Sequence, residues 1–271
     1  MAANDIQSLS EWVRDQTLEI HRVAPSSRVA SSLSAVEIVS ALFFGGVLRQ
    51  DPADPRHPDR DRFIASKGHG TLCLYPVLAR LGFFPLAELK RVGFDNALLT
   101  VIPEQTIPGV ETTNGSLGHG PGVACGMALA LRLRKNPAQI FLLCGDGEMN
   151  VGAVWEAIML LAHLRMDTVN LIVDDNGRSM LGHQRDIMGL DPLSGKFAAF
   201  GWDVEECDGH DVLALARKCH AMKARREGRP KALVAHTVKG HTVAELECDA
   251  LAHIRVLAPA TIDRALEHRK S

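Results

Sequence analysis

The length and composition are those of a folded globular protein, because 271 residues of which 46% are hydrophobic can bury one large core or two smaller ones. They exclude a fibre, a coiled coil and a disordered chain. With 30 basic and 32 acidic residues the formal net charge is −2, so no broad basic surface for nucleic acid or an anionic membrane is expected. Local phosphate sites remain possible, and the expected ligands include small-molecule substrates.

The sequence predicts neither a targeting signal nor a membrane span. The N-terminus MAANDIQSLSEW has no basic region followed by an apolar run, and the apolar stretch 38–48 is too short to cross a bilayer. The six cysteines are scattered without a CxxC pair, and several have apolar neighbours as buried thiols usually do. They are Cys73, Cys125, Cys144, Cys207, Cys219 and Cys248. We therefore expect a soluble, cytoplasmic protein.

The chain is expected to begin with helices. Residues 7–23 and 34–48 have apolar positions at helical spacing, and Ser34 with Glu37 forms a capping box that opens the second helix. Residues 51–61, DPADPRHPDRD, are rich in proline and charge, so they are a surface connection and too short to separate domains.

The remainder alternates strands and helices. Three short apolar runs have the length of buried parallel strands: 140–143, 169–173 and 232–235. A helical pattern at 122–134 precedes the first run, and a second at 153–166 lies between the first two and places Val154, Ile158 and Leu161 on one stripe. This order predicts a doubly wound, mostly parallel α/β sheet with helices on both faces. We expect a single domain over 1–271, with a helical N-terminal segment at 7–48 and a C-terminal tail at about 255–271.

Polar residues follow two of these strands. Gly145-Asp146-Gly147 ends the strand IFLLC, and Asp174-Asp175-Asn176-Gly177-Arg178 follows the next strand. Ligands bind at the carboxyl ends of parallel strands, so Asp146 and Asn176 can converge on one point. Their oxygens suit Mg²⁺ or Ca²⁺ completed by a carbonyl, water and phosphate. The glycine and the following helix N-terminus favour a close phosphate, although Gly-Asp-Gly is also an ordinary turn.

The wider context resembles the transketolase family. The run GDGEMNVGAVWEAIMLLAHLRMDTVNLIVDDN is similar to that family's thiamine diphosphate (TPP) signature. The segments SKGHGTLCLYPVLARLGFFP, PGVETTNGSLGHGPGVACGMALA and GHQRDIMGLDPLSGKFAAFGWDVEECDGHD resemble its other loops, so the likeness covers nearly the whole chain. It implies the diphosphate-binding domain of the TPP-binding fold.

The resemblance also implies roles for individual residues. Asp146, Asn176 and the carbonyl of Arg178 would hold Mg²⁺, with Ca²⁺ as an alternative. The residues expected to contact TPP are His69, Gly115, Leu117, Gly145, Gly147, Glu148, Asp174, Asn176 and His253. The residues expected to take part in catalysis are His69, His119, His253 and Arg28. His253 lies where the resemblance thins, and a solvated histidine is the alternative there.

Full-length transketolases carry further domains that this chain lacks, including the one whose glutamate protonates the aminopyrimidine. We therefore expect a second subunit that supplies the pyrimidine-binding and C-terminal domains, in an α2β2 heterotetramer. The alternative is a fragment of a longer enzyme, but the start at Met and the charged end EHRKS favour the expectation of a natural subunit. The implied activity is transfer of a two-carbon unit from a ketose-type donor to an aldehyde or ketone acceptor, and cofactor chemistry would carry it. A non-catalytic regulatory subunit is the alternative from another class.

Three positions depart from the family pattern. Arg28 and Ile102 replace two histidines that are associated with donor hydroxyls and proton transfer, and Val151 replaces a glutamate that links paired active sites. A donor hydroxyl left unpaired against Ile102 would cost about 1 to 3 kcal/mol. A second hypothesis is therefore a decarboxylating acetyl transfer from pyruvate or another 2-oxo acid, whose carboxylate Arg28 could bind. The alternative is a drifted loop in which neighbours replace the lost contacts.

Overall fold

A computed structural model of the chain describes residues 3–267 and shows a five-stranded sheet in the order β1-β2-β3-β5-β4. Every neighbouring pair of strands is parallel. The strands are β1 (Arg62–Ala65), β2 (Ile140–Gly145), β3 (Val169–Asp175), β4 (Asp203–Asp208) and β5 (Lys231–His236). The predicted parallel α/β sheet is confirmed.

Helices cover both faces of the sheet. The first five are α1 (Ala3–Val23), α2 (Val29–Leu33), α3 (Val36–Phe43), α4 (Leu74–Leu81) and α5 (His119–Leu133). The others are α6 (Gly152–His163), α7 (Gln184–Met188), α8 (Leu193–Ala199), α9 (Val212–Ala224), α10 (Ala244–Glu247) and α11 (Pro259–Glu267). Short 3₁₀ turns lie at Gly68–Gly70, Leu86–Arg91, Asp146–Asn150 and Ala252–Ile254.

The sheet is buried on both sides, which explains why its central strands are continuous apolar runs. Phe141 and Leu143 of β2 pack into a core with α1, α3, α4 and α9. Leu142 and Cys144 face the opposite core, formed with α5, α6 and α8. All three predicted strands lie within β2, β3 and β5, and the predicted helices at 122–134 and 153–166 correspond to α5 and α6.

Two strands were not predicted from the sequence, and both lie at the edges of the sheet. β4 has the sequence DVEECD and is partly exposed along its length, so it lacks an apolar run. β1 has only four residues, RFIA, directly after the charged connection. β4 carries acidic side chains, as edge strands often do, and the apolar part of β1 is only three residues long, so the rule for buried strands detects neither.

The predicted capping box at the start of the second helix is wrong. The chain forms α2 and α3 there in place of one helix, and Ala35 precedes α3 without a side-chain cap. The Ser34 hydroxyl donates to Asp174 Oδ2 at 2.7 Å, and the Glu37 carboxylate pairs with Arg14. Partners that are distant in sequence have replaced the local cap, because buried charged groups need such partners.

The C-terminal helix α11 packs against the N-terminal helix α1. Ile262 and Ala265 of α11 are buried in a third cluster with Leu18 of α1. The predicted tail is thus helical over Pro259–Glu267, and its residues 268–271 lie outside the described part of the chain.

No helix within the described residues is long and apolar enough to cross a membrane. The six cysteines are free thiols.

The predicted stripe of α6 provides a test of the fold. Ile158 is 2% exposed against the sheet, so Ile158→Ala should lower the free energy of unfolding in urea by about 2 to 5 kcal/mol. The neighbouring Met159 is 46% exposed on the same helix, and Met159→Ala should change it by less than about 0.5 kcal/mol. Equal losses in the two variants would show that α6 is not oriented as described.

Candidate functional site

A cavity of about 360 Å³ lies at the carboxyl ends of β2 and β3, where parallel sheets bind ligands. It brings together nine residues that the sequence predicted for the site. They are His69, Leu117, Gly145, Asp146, Gly147, Glu148, Asn176, Arg178 and His253. The cavity is also lined by Ser31, Lys67, Asn150 and Lys239, and its remaining lining residues are Ser179, Met180, Leu181 and Ile187.

Asp146 presents an unpaired carboxylate oxygen to this region. The side chain is buried, and its Oδ2 has no hydrogen-bond partner within the described residues. Burial, with the nearby charge of Asp174, raises the pKa of Asp146 to about 7. A buried anion without a partner is costly. A bound cation would remove that cost, so the environment of Asp146 fits a metal ligand.

Two further oxygen donors lie beside this carboxylate. Asn176 Oδ1 accepts from the Arg178 amide at 3.2 Å, and the Arg178 carbonyl accepts from Lys239 Nζ at 3.0 Å. Each oxygen has a second lone pair available for a metal. No group of three or more His, Cys, Asp or Glu side chains within residues 3–267 could hold a metal ion. The predicted set is of a different kind, since it combines one carboxylate, one amide and one main-chain carbonyl.

Lys67, which lines the cavity, forms a buried ion pair with Asp174, which does not. Lys67 Nζ also donates to the Ser31 carbonyl at 3.0 Å, while Ser34 and Thr237 donate to the Asp174 carboxylate. These contacts hold the pKa of Asp174 below its usual value despite the opposing effect of burial. Asp174 was predicted to contact TPP directly, but the structure places it beneath Lys67, outside the cavity lining.

Two histidines lie together on one wall of the cavity. The ring centroids of His69 and His253 are 5.0 Å apart, and His253 Nδ1 is 3.3 Å from the Ser31 hydroxyl. Burial lowers the pKa of each histidine to about 3, and the positive charges of Lys67, Lys239 and Arg28 add to the effect. Both rings are therefore neutral at pH 7, with one N–H donor each.

Glu148 joins three loops at the base of the cavity. Its carboxylate accepts from the Gly118 amide at 2.6 Å, from the Gly145 amide at 3.4 Å and from the Ser66 hydroxyl. The loops pass very close to each other, since a Cβ added to Gly68 would lie 1.8 Å from the Asn114 carbonyl oxygen. Glycine is therefore required before His69, and Glu148 holds the loops that carry the predicted residues.

Besides Asp174, three predicted residues lie outside the cavity lining. Gly115 and His119 are exposed on the loop before α5 and at its first turn. Arg28 precedes α2 and is close enough to His69 and His253 to lower the pKa of both. Its guanidinium has no hydrogen bond or ion pair within residues 3–267. Ile102 lies beside the same loop, with its Cγ2 at 3.4 Å from a Cβ added to Gly68.

Sequence reasoning did not assign Lys67, Lys239 or Ser31 to the site. A signal for the two lysines is present, because the tripeptide Lys-Gly-His occurs twice, at 67–69 and at 239–241. Both copies closely follow a strand of the sheet, β1 and β5 respectively. Burial lowers the pKa of Lys239 to about 8, so this lysine retains most of its charge at pH 7.

Comparison with known proteins agrees with this geometry. Residues 11–268 match the family model described as "Transketolase, thiamine diphosphate binding domain". The chain belongs to this family. It is 32% identical to one subunit of an apulose-4-phosphate transketolase from Actinobacillus succinogenes, over all of this chain and 98% of the relative. It is 35% identical to a 6-deoxy-6-sulfo-D-fructose transketolase subunit from a Clostridium species, over 87% of this chain and 86% of the relative.

The fold is also that of solved transketolases. The transketolase from Campylobacter jejuni is 27% identical and superposes with a TM-score of 0.91 over all of this chain. The match covers 43% of that transketolase, so the chain spans less than half the length of the solved enzyme. The family domain therefore accounts for the whole sheet and for the cavity at its carboxyl edge.

The charge state of Asp146 generates a prediction for the metal-free protein. This carboxyl ionises near pH 4 when unfolded but near pH 7 when folded, so the fold loses stability as the pH rises between these values. Asp146→Asn should remove that loss. With a chelator present, its free energy of unfolding should exceed that of the wild type by on the order of 2 kcal/mol at pH 8, and the difference should vanish near pH 4.

Asp174→Asn is the matched control, since the pKa of the wild-type Asp174 carboxyl is lowered, whereas that of Asp146 is raised. The variant leaves Lys67 buried without its counter-charge, so it should be destabilised by about 3 to 5 kcal/mol at pH 8. Destabilisation by both substitutions would contradict the conclusion that the Asp146 charge lowers the stability of the fold whereas the Asp174 charge supports it.

Proposed function

We propose that this chain is the diphosphate- and metal-binding subunit of a two-component, TPP-dependent enzyme that transfers a two-carbon unit. The observation that carries the proposal is the cavity lined by Asp146, Asn176 and Arg178, in which Asp146 Oδ2 has no hydrogen-bond partner within the described residues. A single buried carboxylate with two neutral oxygens suits Mg²⁺ bound to a diphosphate, because Mg²⁺ takes its other ligands from phosphate and water.

The other residues lining the cavity suit the phosphate groups. Lys239 supplies a buried ammonium, and the neutral His69 and His253 supply N–H donors in the same cavity. TPP, when bound, would supply the chemistry for cleaving and forming carbon–carbon bonds next to a carbonyl group. This chain would anchor and orient the cofactor, and its neutral histidines can accept or donate a proton at the donor's oxygen atoms.

Support for a second subunit comes from apolar surface. The cavity mouth is lined by Leu117, Met180, Leu181 and Ile187, and Leu181 is 71% exposed. The outer sides of α5 and α6 expose Val123, Leu129, Leu133, Met159 and Leu160. Contiguous exposed apolar surface is typical of an interaction site. We propose that a partner supplies the pyrimidine-binding and C-terminal domains, and that the assembly is α2β2.

A ketose is the leading candidate for the donor. The two relatives described above are named as transketolase subunits that act on sugar substrates, which favours this class for the present chain. The unpaired Arg28 beside the two histidines, with the apolar Ile102 nearby, favours a second candidate. A 2-oxo acid would place a carboxylate within reach of the guanidinium and a methyl group against the isoleucine.

Cofactor binding tests the proposal directly. We expect calorimetry to show Mg²⁺-dependent TPP binding by the chain, tighter when the partner subunit is present because the partner covers the mouth. Asp146→Ala should weaken binding by at least about tenfold, since it removes the only carboxylate of the proposed metal set. Asp186→Asn, at an exposed position on the nearby α7, is the matched control and should bind as the wild type does. Absence of binding in both the isolated and the paired state would favour a regulatory subunit.

The two donor candidates differ in their products. With the paired subunits, a ketose donor predicts release of glyceraldehyde 3-phosphate from xylulose 5-phosphate, whereas a 2-oxo acid donor predicts release of CO₂ from pyruvate. Arg28→Met should lower kcat/KM for pyruvate by at least about tenfold if the guanidinium binds the carboxylate. Turnover of the ketose phosphate alone would exclude the 2-oxo acid candidate.

A further inference from the structure

The segment that carries Lys239 has no regular secondary structure of its own. We call residues 237–243, between β5 and α10, the Lys239 loop. Within it, the Gly240 amide donates to the Ala30 carbonyl at 3.0 Å, and Lys239 Nζ reaches the Arg178 carbonyl at 3.0 Å. The position of this ammonium therefore depends on contacts that the loop makes with other parts of the chain.

His210, which follows β4, makes one of these contacts. The Val238 amide, next to Lys239, donates to His210 Nε2 at 2.8 Å. The imidazole also stacks on the ring of His241 at the other end of the loop, with centroids 3.6 Å apart and an interplanar angle of 20°. His210 thus contacts the Lys239 loop on both sides of the lysine, although it does not line the cofactor cavity.

The protonation of His210 is fixed by a buried charged pair. Nε2 accepts a hydrogen bond and must be unprotonated, so the proton is on Nδ1, which lies 3.0 Å from Glu37 Oε2. The other Glu37 oxygen pairs with the buried Arg14. The Arg14 guanidinium in turn donates to the His241 carbonyl at 3.0 Å. Both ends of the series Arg14–Glu37–His210 therefore contact the Lys239 loop.

The chemistry of this series indicates that its role is to orient the His210 imidazole. A buried ion pair is weak evidence for stability, because desolvation offsets the attraction between its charges. A carboxylate that accepts a hydrogen bond from an imidazole N–H does select one tautomer, as in metal sites where an outer carboxylate orients a histidine. Here the selected tautomer presents an acceptor to the Val238 amide.

We propose that His210, set in this tautomer by Glu37 and Arg14, is a positioning residue that holds Lys239 in place for the cofactor diphosphate. The inference rests on the proposed function, because it concerns the affinity of the same cavity for TPP. It gives a role to Arg14, Glu37 and His210, to which contacts with the cofactor would assign none.

Three variants test the proposal in the full chain, alone and with its partner subunit. His210→Phe keeps a ring against His241 but removes both hydrogen bonds, and His210→Gln keeps one donor and one acceptor. We expect the Kd for TPP at saturating Mg²⁺ to rise about tenfold in His210→Phe and to stay within about threefold of the wild type in His210→Gln. His220→Phe is the control, since it loses one hydrogen bond to Gly45 far from the loop.

A double-mutant cycle separates positioning from general destabilisation. Lys239→Met should weaken TPP binding, and adding His210→Phe to it should weaken binding little further if the histidine acts through the lysine. Fully additive effects would overturn the proposal. Amide hydrogen exchange gives a second readout, because the Val238 amide should lose protection in His210→Phe and retain it in His210→Gln.

Glu37→Gln provides an independent variant if His210→Phe does not fold. Its amide can donate to Nδ1 and favour the tautomer that clashes with the Val238 amide, so TPP binding should weaken again. If the wild type binds TPP tightly and every folded variant binds it with the same affinity, the role of His210 is refuted but the proposed function is not. Absence of TPP binding by the wild type in either state would instead refute the proposed function.

Discussion

The buried ion pair between Lys67 and Asp174 connects the parts of the chain that form the site. Lys67 lies in the loop after β1, and Asp174 is near the end of β3. The same carboxylate accepts hydrogen bonds from Ser34, between α2 and α3, and from Thr237 at the start of the Lys239 loop. A buried charge that lost any of these partners would be poorly solvated, so four segments are held at one point.

This constraint divides the charged groups of the site into two kinds. Asp174 and Lys67 neutralise each other and support the loops, so they add little net charge to the cavity. Asp146 Oδ2 and the Arg28 guanidinium have no such partner within the described residues, so under the proposed function they would bind a cation and an anion. In that proposal Asp146 serves the metal, and Arg28 and Ile102 are the positions that would distinguish the substrate end.

The sequence predicted the centre of the sheet better than its edges. β2, β3 and β5 contain short continuous apolar runs, which length and composition detect, whereas β4 is acidic and partly exposed at an edge. The glycine and aspartate residues at the ends of β2 and β3 likewise indicated the edge of the sheet at which the cavity lies. The supporting contacts could not be predicted in this way. Ser34 and Asp174 are 140 residues apart in sequence, and Lys67 and Asp174 are 107 apart. The capping-box prediction for Ser34 and Glu37 was wrong for the same reason, because long-range partners decide buried polar positions.

The central claim is that one metal ion and the TPP diphosphate occupy the cavity formed by Asp146, Asn176 and the Arg178 carbonyl. A crystal structure of the two-subunit complex grown with TPP and Mn²⁺ tests it most directly, because anomalous scattering locates the metal independently of the refined coordinates. The account predicts a single strong peak in contact with Asp146 Oδ2 and with the diphosphate, with Lys239 beside the phosphate oxygens. Bound TPP with the metal held elsewhere, or a peak that does not contact Asp146, would contradict it.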